Sequence, residues 1–530
     1  MKTFFRELAL FSFFLAASGF ALRPLPFRLA DSIPAGSDPA HHLYILNWLL
    51  DHGLSADRFE GKMFHPAKNA VLRSDLSMGT VVLMAPLAPF IPDPLVRFNL
   101  ATWFALAFSG WAFCLLARSW TRSITAGLLA GITAVLGSHQ SLHYVHLNLL
   151  SVGWFPIFLL ALDRLLADGS ARYVALSAAS FALVASSSGY YGVAAVVLAA
   201  VIFARAPSLR GLKLGLIAAI LTGLLLLPYL AAYAGLHADE GLERTSRELA
   251  RGSWTWADLG SRTSIHRLWN GARGEPLFPG FAVTGLALLA LGRGSKRVRT
   301  LGLAALLLFW LGLGEGGGLY RVLASAPPFS SMRHPVTLTA VGLMLLCVIA
   351  AHALASIETT SPRAAATILL VAIAETVAPV NDYFTLAPGV PSVYEGLAKR
   401  PAGPVLDVPP YESSPLIWAA RRGFEMVNGG GAFIPAITTR METTIQNHWL
   451  TDSYQPIDDS KAAGILLNET SMRYLILPGG RRGGLDPLIQ RFRESRCFVE
   501  LDVYDGDVLF EAVRGPSCRA WAGAAPRNQS

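Results

Sequence analysis

The acid best placed to do chemistry is Asp38, in the segment Gly36-Ser-Asp-Pro-Ala-His-His-Leu-Tyr44. Such a carboxylate takes a proton from a hydroxyl held within hydrogen-bond reach. It can equally serve as a helix N-cap, with Pro39 at the first helical position. His41 and His42 follow it as candidate substrate contacts. A second group is His139, Gln140, His143, His146 and Asn148, whose histidines fall at i, i+4 and i+7 and share one face if helical. That face could bind a metal, touch a phosphate or substrate, or sit at a membrane interface. The third group is Pro327-Pro-Phe-Ser-Ser-Met-Arg-His-Pro335, where Arg333, next to His334, offers a planar donor fork to phosphate oxygens or snorkels at an interface. The residues Trp254, Trp256, Arg262, His266, Arg267, Trp269 and Arg273 mix aromatic anchors with positive charge, as interface belts do.

Other chemistry is absent. There is no Walker A loop, no HExxH, no GxSxG and no dinucleotide fingerprint, and the four cysteines form no CxxC or Cys/His zinc spacing. No cofactor is identified; a divalent metal is open but not favoured. Cys114 and Cys347 lie inside apolar runs as packing residues. Cys497 and Cys518 lie close together in sequence near the C-terminus and can pair if they face an oxidising compartment.

The elements that must position these residues are membrane helices. Hydrophobic residues make up 53% of the chain and charged residues 15%, well away from the balance of a soluble domain. The net charge of +8 does not point to nucleic acid, because the Lys and Arg residues sit mostly in short segments between apolar runs. The lipid bilayer is therefore the first partner. Apolar runs at 7 to 22, 98 to 117, 123 to 138, 147 to 163, 173 to 187, 189 to 204, 214 to 235, 277 to 292, 300 to 314, 336 to 356 and 364 to 380 predict about eleven spans. Residues 76 to 95 are apolar too, but Pro86, Pro89 and Pro92 predict an interfacial or re-entrant element that does not cross. The pair 173 to 187 and 189 to 204 is short for two spans, yet Ser186-Ser-Ser-Gly-Tyr-Tyr-Gly192 predicts a hairpin between them.

Sidedness follows from the basic loops. Lys2 and Arg6 place the N-terminus in the cytoplasm, and the first run is read as a retained helix rather than a cleaved signal peptide. Arg118/Arg122, Arg164/Arg172, Arg205/Arg210/Lys213, Arg293/Lys296/Arg297/Arg299 and Arg363 then fall in every second loop. The outward segments become 23 to 97, 139 to 147, 236 to 276 and 315 to 335. They carry all three candidate groups, with Leu43 to Leu50 expected as an amphipathic stretch on the membrane surface. Glu375 is expected near the outward end of the last span, a costly place for an acid unless it faces a cavity or a partner. Residues 1–380 form the membrane module. Residues 381–530 form a small α/β exoplasmic domain, with strands expected at Val405 to Val408, Tyr474 to Leu477 and Cys497 to Val513 and turns at Asn428 to Gly431 and Gly479 to Gly484. The fold class is thus mainly α, a polytopic helical bundle of an inner membrane with a periplasmic or extracellular C-terminal domain.

The sequence resembles the bacterial branch of the glycosyltransferase-C superfamily, whose members use polyprenyl-phosphate-linked sugars. The resemblance rests on Ser37-Asp-Pro-Ala-His-His-Leu-Tyr44 after the first span, Phe98 to Arg118, and Ser141-Leu-His-Tyr-Val-His-Leu-Asn-Leu149 followed by Trp154-Phe-Pro156. Pro327 to Pro335 and Val405-Leu-Asp-Val-Pro409 carry it further. It implies that Asp38 is the base or acceptor-orienting acid, that the donor is a polyprenyl-phosphate sugar, and that an unknown glycan, lipid or protein accepts the sugar. His41, His42, His139, His143, His146, Arg333 and His334 would contact the substrates. The segment reads Ser-Asp-Pro where members of the superfamily often carry a second acid, which tells against a metal-dependent version. A transporter or flippase for a polar lipid, and a non-catalytic envelope assembly partner, remain the other readings.

Overall fold

The computed structural model describes residues 2–53, 55–137, 143–205, 207–242, 244–259, 277–326, 328–376, 382–386, 389–409, 414–449, 465–479, 489–490, 492–493, 497–514 and 518. Each apolar run expected to span is helical, the helices being Lys2–Ala21, Pro94–Thr121, Ile124–Leu136, Trp154–Asp168, Ala171–Ser187, Gly189–Arg205, Leu209–Glu240, Phe281–Arg293, Lys296–Gly312, Val336–Thr360 and Pro362–Thr376. Helices dominate because no water is present in hydrocarbon to satisfy a free backbone N–H or C=O. The proline-rich stretch is broken as expected: Met78–Met84 is helical, a single 3-10 turn follows at Ala88–Phe90, and the next helix starts at Pro94. The hairpin at 188 is also present, with only Ser188 between two helices.

The chain divides into two compact units. The first comprises Met1–Leu29, Asp75–Leu87 and Asn99–Tyr383, and the second comprises Ala30–Ser74, Ala88–Phe98 and Phe384–Ser530.

In the first unit, Val336–Thr360 is buried on every face along most of its length and packs on Lys296–Gly312, Phe281–Arg293 and Ile124–Leu136. Small residues let helices approach closely. A Cβ on Gly131 would stand 2.4 Å from the Gly110 carbonyl oxygen, so these two helices meet backbone to backbone, with Phe14 filling the space beside them. Charged side chains gather at helix ends and are paired there. Arg118 grips Glu7 through both carboxylate oxygens at 2.7 and 2.9 Å, and Arg297 pairs with Asp163 at 2.7 Å while Trp120 donates its indole N–H to the same carboxylate. Glu375 accepts the N–H of Ala282 at 2.9 Å, in the first turn of Phe281–Arg293. Its cost is met by a helix N-terminus. Cys114 and Cys347 are both buried in this unit.

In the second unit, the loop residues 30–74 are woven into the C-terminal part. The N–H groups of Phe64 and His65 donate to the carbonyls of Asn428 and Met426, and Met426 N–H returns to the Lys62 carbonyl. The Leu43 to Leu50 stretch departs from expectation. It belongs to the helix Asp38–His52, in which His41 to Asn47 are all buried, and which packs on the helix Pro415–Arg422. Protein rather than lipid headgroups covers its apolar side. Arg97 pairs with Asp51 and Arg421 with Asp93, each at 2.8 Å. The strands run in the order Val405–Asp407, Tyr474–Leu477, Asp507–Ala512, Phe498–Tyr504, the first pair parallel and the others antiparallel. The expected long strand Cys497 to Val513 is a hairpin. Asp505 and Gly506 both take positive φ, as a two-residue turn between twisted strands requires. The glycines of 429 and 430 are spacers: a Cβ would meet Phe64 at Gly429 and His41 at Gly430.

Cys497 and Cys518 form a disulfide with a Cα–Cα distance of 4.7 Å. Alkylation in denaturant without reductant is therefore expected to modify Cys114 and Cys347 alone, and reduction to expose the other two. Intact mass measures this; four adducts without reductant would contradict the pairing.

Candidate functional site

The candidate residues fall in both units. In the second unit, Asp38 is the first residue of its helix, and Ser37, at the N-cap position, makes no capping bond. Asp38 thus lies in the first turn, where the helix dipole favours a carboxylate. Its side chain is 40% exposed, and His41 Nδ1 stands 3.8 Å from its Oδ1. On the far side of the ring, His41 Nε2 is 3.4 Å from the Ser74 hydroxyl. His41 and His42 are both buried, with ring centroids 4.3 Å apart. The acid is accessible and the imidazoles are behind it.

In the first unit, Arg333 and His334 are exposed, at the end of a loop held from two sides. Tyr190 Oη accepts the backbone N–H of Arg333 at 3.2 Å and of His334 at 3.0 Å. From the other side Gly252 lies against the Arg333 carbonyl, where a Cβ would come within 2.0 Å of its oxygen, and the Gly252 carbonyl accepts the Val336 N–H. Arg244 joins this region. Its N–H donates to the Ser330 carbonyl, and its guanidinium reaches Glu248 at 3.1 Å. Glu248 completes a capping box with Thr245, whose N–H holds its carboxyl below the usual range. Burial, in the first place, lowers the proton affinity of Arg244; the attraction of Glu248 opposes this, and the positive charge of Arg333 adds to it. Two guanidinium groups therefore share one neighbourhood.

The histidine cluster is placed differently from the helical face that its spacing suggests. Residues 143 to 146 form a turn, closed by the His146 N–H on the His143 carbonyl at 2.9 Å, and the helix begins only at Leu147. Within the turn the rings of His143 and His146 lie 5.3 Å apart, off any helical face. His139 lies outside the described residues, as do Gln140, Pro327, Arg262, His266, Arg267, Trp269 and Arg273. Trp254 is a buried packing residue that donates to the Phe309 carbonyl, whereas Trp256 is exposed. Among the described residues no group of three or more His, Cys, Asp or Glu could hold a metal ion.

One acid escaped the sequence reading. Asp75 accepts the Asn148 amide at 2.6 Å on Oδ2 and the Gly189 N–H at 3.3 Å on Oδ1. Burial raises the proton affinity of its carboxyl, and Asn148, Gly189 and Ser188 oppose the rise. Its sequence signal was faint, a lone aspartate directly before an apolar run. Asn148, grouped with the histidines by spacing alone, is the member of that group that contacts this acid.

Replacing Tyr190 by Phe removes the acceptor for two N–H groups. Loss of about 1–3 kcal/mol of local protection is expected, read as faster hydrogen exchange in peptides covering residues 328–336. Unchanged exchange would mean that Tyr190 does not hold this loop.

No protein-family model matches the sequence, and comparison with curated proteins gives no match. Among solved structures, the chain is similar to the arabinofuranosyltransferase AftD from Mycobacteria, with TM-score 0.60 and 17% identity over 95% of this chain and 41% of that one. The chain thus spans about two fifths of that enzyme's length. It is also similar to the Archaeoglobus fulgidus oligosaccharyltransferase AglB, solved with an inhibitory peptide and a dolichol-phosphate, with TM-score 0.52 and 12% identity over 89% of this chain and 69% of that one. The apolar helices of the described residues, with the broken proline-rich segment and the small C-terminal sheet, have the glycosyltransferase-C fold.

Proposed function

We propose that the chain is a membrane glycosyltransferase that moves a sugar from a polyprenyl-phosphate carrier to an envelope acceptor on the exoplasmic side. The observation that carries this reading is the pairing of Arg244 with Arg333. Burial first of all, with the positive charge of Arg333 adding to it, lowers the proton affinity of Arg244, and two guanidinium forks in one neighbourhood suit an anion beyond Glu248. A departing lipid phosphate is such an anion. The shared fold with structures of sugar and oligosaccharide transferases supports the same reading.

The chemistry needs two things. An acceptor hydroxyl attacks the anomeric carbon, its proton goes to a base, and the bond between that carbon and the phosphate oxygen breaks with its electron pair leaving on the phosphate. Asp38 fills the role of base in this reading, since its carboxylate is accessible and accepts a proton without rearrangement of the helix. Arg244 and Arg333 offset the charge that grows on the leaving phosphate.

Asp38→Asn is expected to lower transfer by about 10²–10⁴-fold while protein level, membrane insertion and thermal unfolding stay as in the wild type. Arg333→Ala is expected to lower kcat/KM for the lipid donor by about 10- to 100-fold. The assay is product formation by the purified chain with synthetic polyprenyl-phosphate monosaccharides, alongside the glycolipid profile of a strain lacking the protein. Full transfer by the Asp38→Asn variant would remove Asp38 from the base role.

A further inference from the structure

The surroundings of Asp75 show the features of a ligand site that neither the base nor the phosphate contacts use. The carboxyl is held from one side by the Asn148 amide and from another by the Gly189 N–H. The fully buried Ser188 lies against it. Asn148 is only 8% exposed, and with its amide nitrogen on Asp75, its Oδ1 has no hydrogen-bond partner among the described residues. Ser77, two residues after Asp75, is buried and has no partner for its hydroxyl either. It also sits at the N-cap of Met78–Met84 in a left-handed conformation, φ 53° and ψ 33°, without capping that helix. A serine rarely adopts that backbone unless something else is gained. Orphaned buried oxygens are costly when left dry.

Space is available there. A Cβ built on Gly189 meets nothing within 4 Å, although the Gly189 N–H is bonded to Asp75. The Asp75 carboxyl thus has an amide and a serine around it, an orphaned hydroxyl two residues on, and an exposed glycine beside it. Tyr190, the next residue, carries the Arg333 loop on its hydroxyl.

We propose that Asp75, Asn148, Ser188 and Ser77 form a recess that binds the hydroxyl groups of a saccharide. This rests on the glycosyl-transfer reading for the source of the sugar. Sugar hydroxyls are donors and acceptors at once. They donate to the free Asp75 lone pairs and to Asn148 Oδ1, and they accept from the two serines. A phosphate is disfavoured because the recess centres on a carboxylate. Asp75 is a positioning and specificity residue here, with no bond made or broken at it.

The test uses the purified full chain and saturation-transfer NMR with methyl glycosides of arabinofuranose, mannose, glucose and galactose. At least one glycoside is expected to receive saturation from the wild type. That signal should fall by about tenfold or more in Asn148→Ala and fall also in Gly189→Ala, whose Cβ meets nothing within 4 Å. Ser188→Ala removes a single hydroxyl with least risk to folding, and the single-deoxy glycoside matching it should lose its disadvantage against the parent sugar. No saturation in the wild type, or equal saturation in all three variants with unchanged thermal unfolding, overturns the proposal. So does manganese binding that the Asn148→Ala variant abolishes, which would make the recess a cation site. Because binding is read without turnover, a wild type that binds a glycoside yet transfers none would reject the transferase reading and keep the recess.

Discussion

A charge placed along a membrane helix must find a partner or move to an end, because hydrocarbon offers it neither water nor counterion. Much of this molecule can be understood from that constraint. Glu7 with Arg118 and Asp163 with Arg297 pair where helices terminate, and Glu375 is neutralised by the first turn of another helix rather than by a cation. The same expulsion delivers Asp75, Arg244 and Arg333 to helix ends, where a polar substrate can meet them. Charged groups are therefore located first by what lipid rejects.

Holding those ends in place falls to short, specific contacts. The Arg333 loop is fixed by a tyrosine hydroxyl on one side and by the backbone of Gly252 on the other. No side chain fits at Gly252, so the glycine there is a steric requirement of the loop's position. In the second unit, Gly430 plays the same part against His41, which in turn stands behind the Asp38 carboxylate. At Gly252 the close neighbour is the backbone of Arg333, and at Gly430 it is the His41 side chain.

How much of this the sequence disclosed depends on the range of the interaction. Spans are local and periodic, so each run of apolar residues became a helix, and three prolines marked the segment that breaks. The helix start at Asp38 was legible because Pro39 and the apolar residues after it announce one. The histidines misled because spacing presumes a helix, and residues 143 to 146 turn instead, with the helix starting one residue after His146. The burial of Leu43 to Leu50 could not be read locally, since its cover comes from Pro415–Arg422, hundreds of residues later. Asp75 was the hardest to see. Its partners, Asn148 and Gly189, are 73 and 114 positions away, and no short motif connects them.

The two acids show why environment, not residue type, assigns roles. Asp38 has an accessible carboxylate at a helix start, where a proton can arrive and leave. Asp75 has two oxygens already engaged by donors from separate segments and a carboxyl whose proton affinity burial has raised. Fixing both oxygens removes the freedom that proton transfer needs and supplies the rigidity that recognition needs.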